Sequence, residues 1–275
     1  MARRVSLSVE DFGMTYPQIN PVALDLGFLQ IHWYGLMYVF GFLGGYWLAR
    51  RRIQAGRFPM DANALSDFVG WVAIGVILGG RLGYVLFYQL ERTIADPLSA
   101  LAIWEGGMSF HGGLLGVIGL TWWFAKKHQI APLVLGDALA PLVPIGLALG
   151  RLGNFIGSEL WGRITTLPWG MVFPNGGPLP RHPSQLYEFA LEGVVLFVVL
   201  HVYARTPRRA GQVTGLFLIG YGVFRFAVEF VREPDAHLGF VWLDWVTMGQ
   251  LLTVPMMLIG LWLFVRKGNL HASVS

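Results

Sequence analysis

The 275-residue sequence contains no cysteine, and only 13% of its residues are charged. Without cysteine the chain cannot form a disulfide, bind zinc or an iron–sulfur cluster through thiolates, or use a cysteine nucleophile. A soluble domain carries about 25% charged residues. The low charge therefore indicates a protein that lies largely in a lipid bilayer, as does the 55% content of hydrophobic residues.

Several functional motifs are missing as well. No HExxH or GxSxG motif and no nucleotide-binding glycine loop occurs, and the seven histidines lack the spacing of metal ligands. We therefore predict no bound metal and no cofactor. The residues before Met14 lack the apolar stretch of a cleavable signal peptide. Met14 is an alternative start, which would make residues 1–13 an extension.

Seven segments are apolar and long enough to cross a bilayer, which takes about 20 residues in a helix. We therefore predict an all-α, polytopic integral membrane protein with one membrane domain over residues 1–275. The predicted spans are residues 31–50, 66–89, 109–126, 132–152, 184–204, 212–231 and 246–265.

The loop charges predict an orientation. Basic residues follow the first, third, fifth and seventh segments, as at Arg50–Arg52, Lys126–Lys127, Arg205–Arg209 and Arg266–Lys267. The positive-inside rule then places residues 1–30 outside and the C-terminus in the cytoplasm. The same loops explain the excess of basic residues more simply than a nucleic-acid partner does. Residues 153–183 are too polar to span, and we predict that they form an ordered extracytoplasmic excursion between spans four and five.

The intramembrane charged residues collect in the predicted outer half, and such residues are functional candidates. In the sixth segment Tyr221, Arg225, Glu229 and Arg232 are spaced to share one helix face. This stripe either forms a ligand site or is a structural ion pair to Glu188 or Glu192.

Three further groups each allow two interpretations. Arg151 and Asn154 lie among glycines and suit phosphate recognition, although an arginine there can also extend to the membrane interface. His111 is either a proton-transfer group or a hydrogen-bonded core residue. Arg81 either binds phosphate or supports packing. Together these residues suit the headgroup of an anionic phospholipid.

Two other classes of function remain open at this point. A lipid transporter would place charged residues through both halves of the membrane, whereas here they stop in the outer half. A purely structural membrane protein would leave the Tyr221-to-Arg232 stripe and the Arg151 group without a purpose.

At these residues the sequence resembles the bacterial phosphatidylglycerol–prolipoprotein diacylglyceryl transferases. The resemblance covers nearly the whole chain from about Met14. It is carried by HWYGLM (32–37), GGRLGY (79–84), GGMSFHGG (106–113), GRLGNFI (150–156), ELWG (159–162), HPSQLYE (182–188), YGVFR (221–225) and Glu229.

The resemblance implies a reaction, its partners and a location. The diacylglyceryl group of phosphatidylglycerol would be joined to the lipobox cysteine of a prolipoprotein signal peptide, forming a thioether and releasing glycerol phosphate. The enzyme would be a multi-pass protein of the bacterial cytoplasmic (inner) membrane with its active site towards the extracytoplasmic side. Family residues implicated in activity correspond to Tyr34, His111, Arg151, Asn154, Glu159, Gly162, Arg225 and Glu229.

Physical chemistry suggests roles for these residues. A thiol needs deprotonation near neutral pH, and His111 is the candidate base, acting directly or through Tyr34 or water. Arg151 and Arg225 would stabilise the leaving phosphate, and Asn154 would add a hydrogen bond. We expect Glu159 and Glu229 to orient the arginines, and we add Gly162, Tyr221 and Arg81 to the expected lipid-binding residues.

Overall fold

A computed structural model describes residues 14–102, 104, 106–234 and 239–267. The proposed extension at residues 1–13 and the C-terminal residues from 268 onward lie outside this range. The described chain is predominantly helical, and helical residues cover most of each of the seven predicted segments.

Ten α-helices follow one another along the described chain. They are α1 Trp33–Gln54, α2 Ala62–Tyr88, α3 Leu90–Ala95, α4 Phe110–Lys127, α5 Pro132–Leu139, α6 Val143–Ile156, α7 Ser184–Glu188, α8 Leu196–Tyr203, α9 Gln212–Val228 and α10 Met248–Val265. A 3-10 helix covers Pro97–Leu101, and a π-helical segment at Phe189–Val195 joins α7 and α8 into one continuous helix.

Three of these helices are long and apolar enough to cross a membrane: Ala62–Tyr88, Ser184–Tyr203 and Met248–Val265. A fourth span results if α5 and α6, which meet at a bend of 46°, are counted together. The structure thus confirms a helical membrane protein with three or four candidate spans in its described part. The count of seven, the orientation and the single domain stay predictions.

By internal contacts the described chain divides into two compact units. One comprises the residues up to Leu48 and those from Leu139 onward, and the other comprises Ala49–Ala138.

In the Ala49–Ala138 unit, α2 packs closely against α4 through glycines. A Cβ atom added at Gly83 would lie 2.8 Å from the Cα atom of Gly112, and one at Gly116 would lie 3.0 Å from that of Gly79. Without side chains at these positions the two backbones approach directly. These glycines are therefore packing positions for this helix pair.

In the other unit, the excursion that follows α6 is folded. Strand β1 (Met14–Thr15) pairs in parallel with β4 (Met171–Val172), while β2 (Val22–Asp25) and β3 (Gln30–His32) form an antiparallel hairpin that leads into α1.

The excursion has a small aromatic core of Tyr16, Phe155 and Phe173. The Tyr16 hydroxyl donates to the backbone carbonyl of Phe155 at 2.6 Å and lies 2.9 Å from that of Ile156. These carbonyls belong to the last turn of α6, where helix carbonyls lack intrahelical partners. Tyr16 therefore fixes the end of the helix that carries Arg151 and Asn154.

Candidate active site

Three arginines and three glutamates form a charged cluster within one unit. Arg151 of α6 meets the continuous helix Ser184–Tyr203: its Nε lies 2.5 Å from Oε2 of Glu188, and its Nη2 lies 3.7 Å from Oε2 of Glu192. The two glutamates are four residues apart and so face the same side of their helix. Glu192 lies within the π-helical segment, a distortion that is frequent at functional sites.

The polar stripe of α9 supplies the rest of the cluster. Arg225 Nη1 lies 3.2 Å from Oε2 of Glu188, and its Nη2 forms an ion pair with Oε1 of Glu229. Arg232 follows just after α9; its Nε lies 3.8 Å from Oε1 of Glu188, and its Nη1 lies 3.4 Å from Oε1 of Glu229. The stripe predicted from spacing therefore exists, and it is tied to Glu188 as the ion-pair interpretation expected.

Burial differs between the two charge types. The side chains of Glu188 and Glu192 are 0% exposed and that of Glu229 is 1% exposed, whereas Arg151 retains 19% and Arg225 retains 12%. A buried carboxylate needs a cation nearby. The glutamates therefore hold the guanidinium groups from the buried side of the cluster. The arginines keep accessible surface, on which an external anion can bind.

One contact that the sequence does not indicate completes the Glu229 environment. The Thr247 hydroxyl, at the start of α10, donates to Oε2 of Glu229 at 2.5 Å. Thr247 and Gln250 form a reciprocal capping box for α10. Thr-x-x-Gln before an apolar run is a recognisable helix-start pattern, but nothing in it indicates an acceptor on another helix.

Tyr34, Asn154 and Glu159 form a second group in the same unit. Tyr34 lies in the first turn of α1, and its hydroxyl lies 3.0 Å from the Tyr38 hydroxyl; it also interacts with Asn154 and Glu159. A Cβ atom at Gly153 would lie 3.0 Å from the Tyr34 ring. The absence of a side chain at Gly153 thus allows α1 and α6 to bring Tyr34 and Asn154 together.

The turn that carries Glu159 has an unusual backbone. Ser158 and Leu160, on either side, have positive φ angles of 53° and 56°, which non-glycine residues seldom adopt. Two hydrogen bonds hold the turn: the Glu159 N–H donates to the Asn154 carbonyl at 2.9 Å, and Gln185 Nε2 donates to the Glu159 carbonyl at 2.5 Å. Strain held in place by surrounding contacts is common at functional sites.

Gly162 has a packing reason to be glycine. A Cβ atom there would clash with the Val231 carbonyl and would lie 2.7 Å from the His182 Cβ atom. Gly162 also forms an antiparallel bridge with Arg232. It therefore joins the excursion directly to the end of the α9 stripe.

Two basic residues of the excursion, Arg163 and His182, lie at that junction. Arg163 Nε donates to the Arg232 carbonyl at 2.9 Å, and its Nη2 donates to the Glu229 carbonyl at 3.2 Å. Burial and the nearby Arg163 lower the pKa of His182 below its ordinary value. Neither residue was predicted as part of the site.

Tyr221 lies one turn before Arg225 on α9, where it interacts electrostatically with Glu192 and Arg225. Its ring also stacks on Phe217 at 6.1 Å between centroids and packs against the hydrophobic cluster around Leu196 and Leu200. Tyr221 therefore borders the charged cluster and the apolar core at once.

His111 and Arg81 belong to the Ala49–Ala138 unit. His111 is exposed in the first turn of α4, whose N-terminus is capped by Ser109. Arg81 is buried, and its guanidinium donates to the backbone carbonyls of Ala100 at 2.8 Å, Gly106 at 2.6 Å and Ser99 at 2.7 Å. Its donors are thus used within the protein, which favours the packing interpretation of Arg81 over phosphate binding.

Among the described residues, no group of three or more potential metal ligands occurs. The chemistry that this arrangement supports is anion recognition: guanidinium groups with fixed orientation and accessible surface match the oxygens of a phosphate.

Comparison with known proteins identifies the family. The family model for prolipoprotein diacylglyceryl transferase matches residues 21–266. The phosphatidylglycerol–prolipoprotein diacylglyceryl transferase of Pseudomonas paraeruginosa is 61% identical over 92% of this chain and 95% of its own length. The corresponding enzymes of Chromohalobacter salexigens and Legionella pneumophila are 59% and 54% identical, each over 92% of this chain and over 94% and 99% of their own lengths. This chain belongs to the prolipoprotein diacylglyceryl transferase family.

Proposed function

We propose that this protein transfers the diacylglyceryl group of phosphatidylglycerol to the thiol of a prolipoprotein cysteine, the first step of bacterial lipoprotein maturation. It is a transferase, and its partners are phosphatidylglycerol and prolipoprotein. The observation that carries this proposal beyond family membership is the cluster of three arginines anchored to buried glutamates, of which Arg151 and Arg225 remain partly accessible.

The cluster suits the departure of a phosphate. The cysteine thiol gives up its proton, and sulfur attacks the glyceryl carbon that bears the phosphate. The carbon–oxygen bond breaks, and glycerol phosphate leaves with the electron pair and additional negative charge. Arg151 and Arg225, already oriented by Glu188 and Glu229, stabilise that charge without reorganising during the reaction.

The remaining residues have supporting roles in this scheme. Asn154 donates a hydrogen bond to the phosphate, and His111 is the proposed base that takes the thiol proton, directly or through another group. Glu159 and Glu229 orient neighbouring groups, while Gly162 and Tyr221 shape the lipid site.

The proposed placement in the membrane follows from the loop charges. All seven predicted segments cross the bacterial inner membrane, residues 1–30 and the excursion lie outside, and the C-terminus lies in the cytoplasm. The chain acts as one membrane domain. Its active site then opens to the extracytoplasmic side, where the lipobox cysteine is available.

Replacing a cluster arginine tests the proposal. In a purified assay with phosphatidylglycerol vesicles and a lipobox peptide, Arg225→Lys keeps the charge but loses the paired donors of the guanidinium. We expect turnover to fall about a hundredfold, as when one preorganised transition-state donor is removed. Arg205→Lys, in the exposed loop after α8, is the matched control and should retain full activity. Normal turnover of Arg225→Lys would exclude the phosphate-stabilising role.

Mass spectrometry of the peptide separates the alternative functions. A transferase yields a thioether-linked diacylglyceryl peptide, whereas a lipid transporter or a structural protein yields unmodified peptide.

The role of His111 is tested by His111→Gln, which should lose activity at neutral pH. An unchanged rate across pH would exclude His111 as the base.

A further inference from the structure

The start of α10 encloses the Glu229 carboxylate. Glu229 is 1% exposed and Thr247 is 3% exposed, so neither side chain relies on solvent for its hydrogen bonds. Oε1 of Glu229 faces Arg225 and Arg232, while Oε2 accepts the Thr247 hydroxyl at 2.5 Å. The two oxygens therefore have different partners, which determines how the carboxylate is oriented.

The capping box of α10 fixes the direction of the Thr247 hydroxyl. Its oxygen accepts the Gln250 N–H at 3.2 Å, and the Gln250 side-chain oxygen accepts the Thr247 N–H at 3.0 Å. Because the hydroxyl oxygen accepts from Gln250, its single proton remains available for Glu229. An N-terminal cap alone requires only the Thr247–Gln250 pair, so the bond to Glu229 is additional.

Gly249 lets the helix approach the carboxylate. A Cβ atom at Gly249 would lie 2.7 Å from Cδ and from Oε1 of Glu229, and 3.1 Å from Oε2. Any side chain would displace Glu229 or the helix. Close approach also places the carboxylate at the positive end of the α10 dipole, which stabilises negative charge.

We propose that Thr247 and Gly249 are positioning residues that hold Glu229 so that it aligns Arg225 with the substrate phosphate. This inference rests on the proposed function, in which Arg225 stabilises the leaving phosphate. Thr247 and Gly249 do not touch the substrate; they act through Glu229.

Three substitutions and two control substitutions in the full-length protein test the proposal. Thr247→Val removes the hydroxyl but keeps the shape, and Thr247→Ser restores a hydroxyl. Gly249→Ala intrudes on the carboxylate. Gly119→Ala is its matched control, since a Cβ atom at that helical glycine would have no neighbour within 4 Å. Asp61→Ala, which removes the N-cap of α2, controls for the loss of a helix cap.

The kinetic readout separates positioning from stability. For Thr247→Val and Gly249→Ala we expect kcat/KM for phosphatidylglycerol to fall about tenfold, as on loss of one hydrogen bond to a buried charged group. The KM for the lipobox peptide should not change, and Thr247→Ser should recover most of the activity. Asp61→Ala and Gly119→Ala should keep wild-type kinetics even if their Tm differs from that of wild type.

A second readout does not depend on transfer. Native mass spectrometry of the purified variants measures how much phosphatidylglycerol they retain relative to phosphatidylcholine, and Thr247→Val should retain less than wild type. If wild type forms no thioether, the proposed function fails, and lipid retention still decides the positioning role. Unchanged kinetics and retention in Thr247→Val, or equal losses in Thr247→Val and Thr247→Ser, would overturn the inference.

Discussion

Glu188 is the residue on which all three arginines of the cluster converge. Its carboxylate lies 2.5 Å from Arg151, 3.2 Å from Arg225 and 3.8 Å from Arg232. Removing one partner of a buried ion pair leaves the other charges uncompensated and costs about 3–5 kcal/mol. We therefore expect Glu188→Gln to lower the free energy of unfolding by several kcal/mol and to reduce activity, measured by thermal unfolding in detergent and by the transfer assay.

Glu233 provides a matched comparison for that prediction. It also pairs with an arginine, at 3.0 Å from Arg181, but its side chain is 45% exposed. Exposed ion pairs contribute about 0–1 kcal/mol, so Glu233→Gln should leave stability nearly unchanged. Equal effects of the two substitutions would contradict a structural role for burial at Glu188.

His182 should make stability depend on pH. Burial and Arg163 lower the folded-state pKa of His182 below its ordinary value of 6.5. As pH falls below 6.5, the unfolded chain binds a proton that the folded chain does not, so the free energy of unfolding decreases until the folded pKa is passed. Tm measured at pH 7.5 and pH 5.5 should therefore differ less in His182→Gln than in wild type; an identical difference would count against this origin.

The residues that sequence reasoning found and missed differ in a physical way. Arg225, Glu229 and Arg232 were found because helical spacing places them on one face. Thr247 was missed because its bond to Glu229 joins two separate helices, and such a contact does not appear as a helical spacing in the sequence. Arg81 was ambiguous because nothing in its local sequence shows that backbone carbonyls from the Ser99–Gly107 region enclose it.

Between elements, the α2–α4 contact depends on small residues. A Cβ atom at Gly79 would clash with the Gly112 carbonyl and lie 2.9 Å from the Gly116 Cα atom, whereas one at Gly70 on the same helix would meet nothing within 4 Å. We expect Gly79→Ala to lower Tm, because the helices must separate, at a cost of about 1–3 kcal/mol. Gly70→Ala is the control and should not lower Tm.

Hydropathy located the helices well but not their ends. Segment 66–89 is the helix Ala62–Tyr88, which begins four residues earlier because the Asp61 side chain accepts the Ala64 N–H at 2.8 Å. Segment 132–152 is two helices bent by 46°, and the second continues to Ile156. Caps and bends depend on local hydrogen bonds, and hydropathy averaged over about 20 residues carries no information about those bonds.

At the scale of the whole molecule, the absence of cysteine makes the orientation directly testable. A single cysteine can be introduced at Leu179 in the excursion or at Arg205 in the loop after α8, both exposed. In intact spheroplasts a membrane-impermeant maleimide should label Leu179→Cys and should reach Arg205→Cys only after permeabilisation. The reverse pattern would invert the proposed orientation.

Strand β1 lies near the beginning of the described chain, yet it pairs with β4, and the Tyr16 hydroxyl binds the end of α6. During translation the ribosome releases Tyr16 long before Phe173 exists, so the first strand waits without its partner while the helices α1 to α6 are synthesised. Glu229 likewise gains its Thr247 partner only when translation has reached the start of α10. The environment of Glu229 is therefore completed only after all the charged residues of the cluster have been synthesised, and a chain that stops before α10 lacks the contact that we propose orients Glu229.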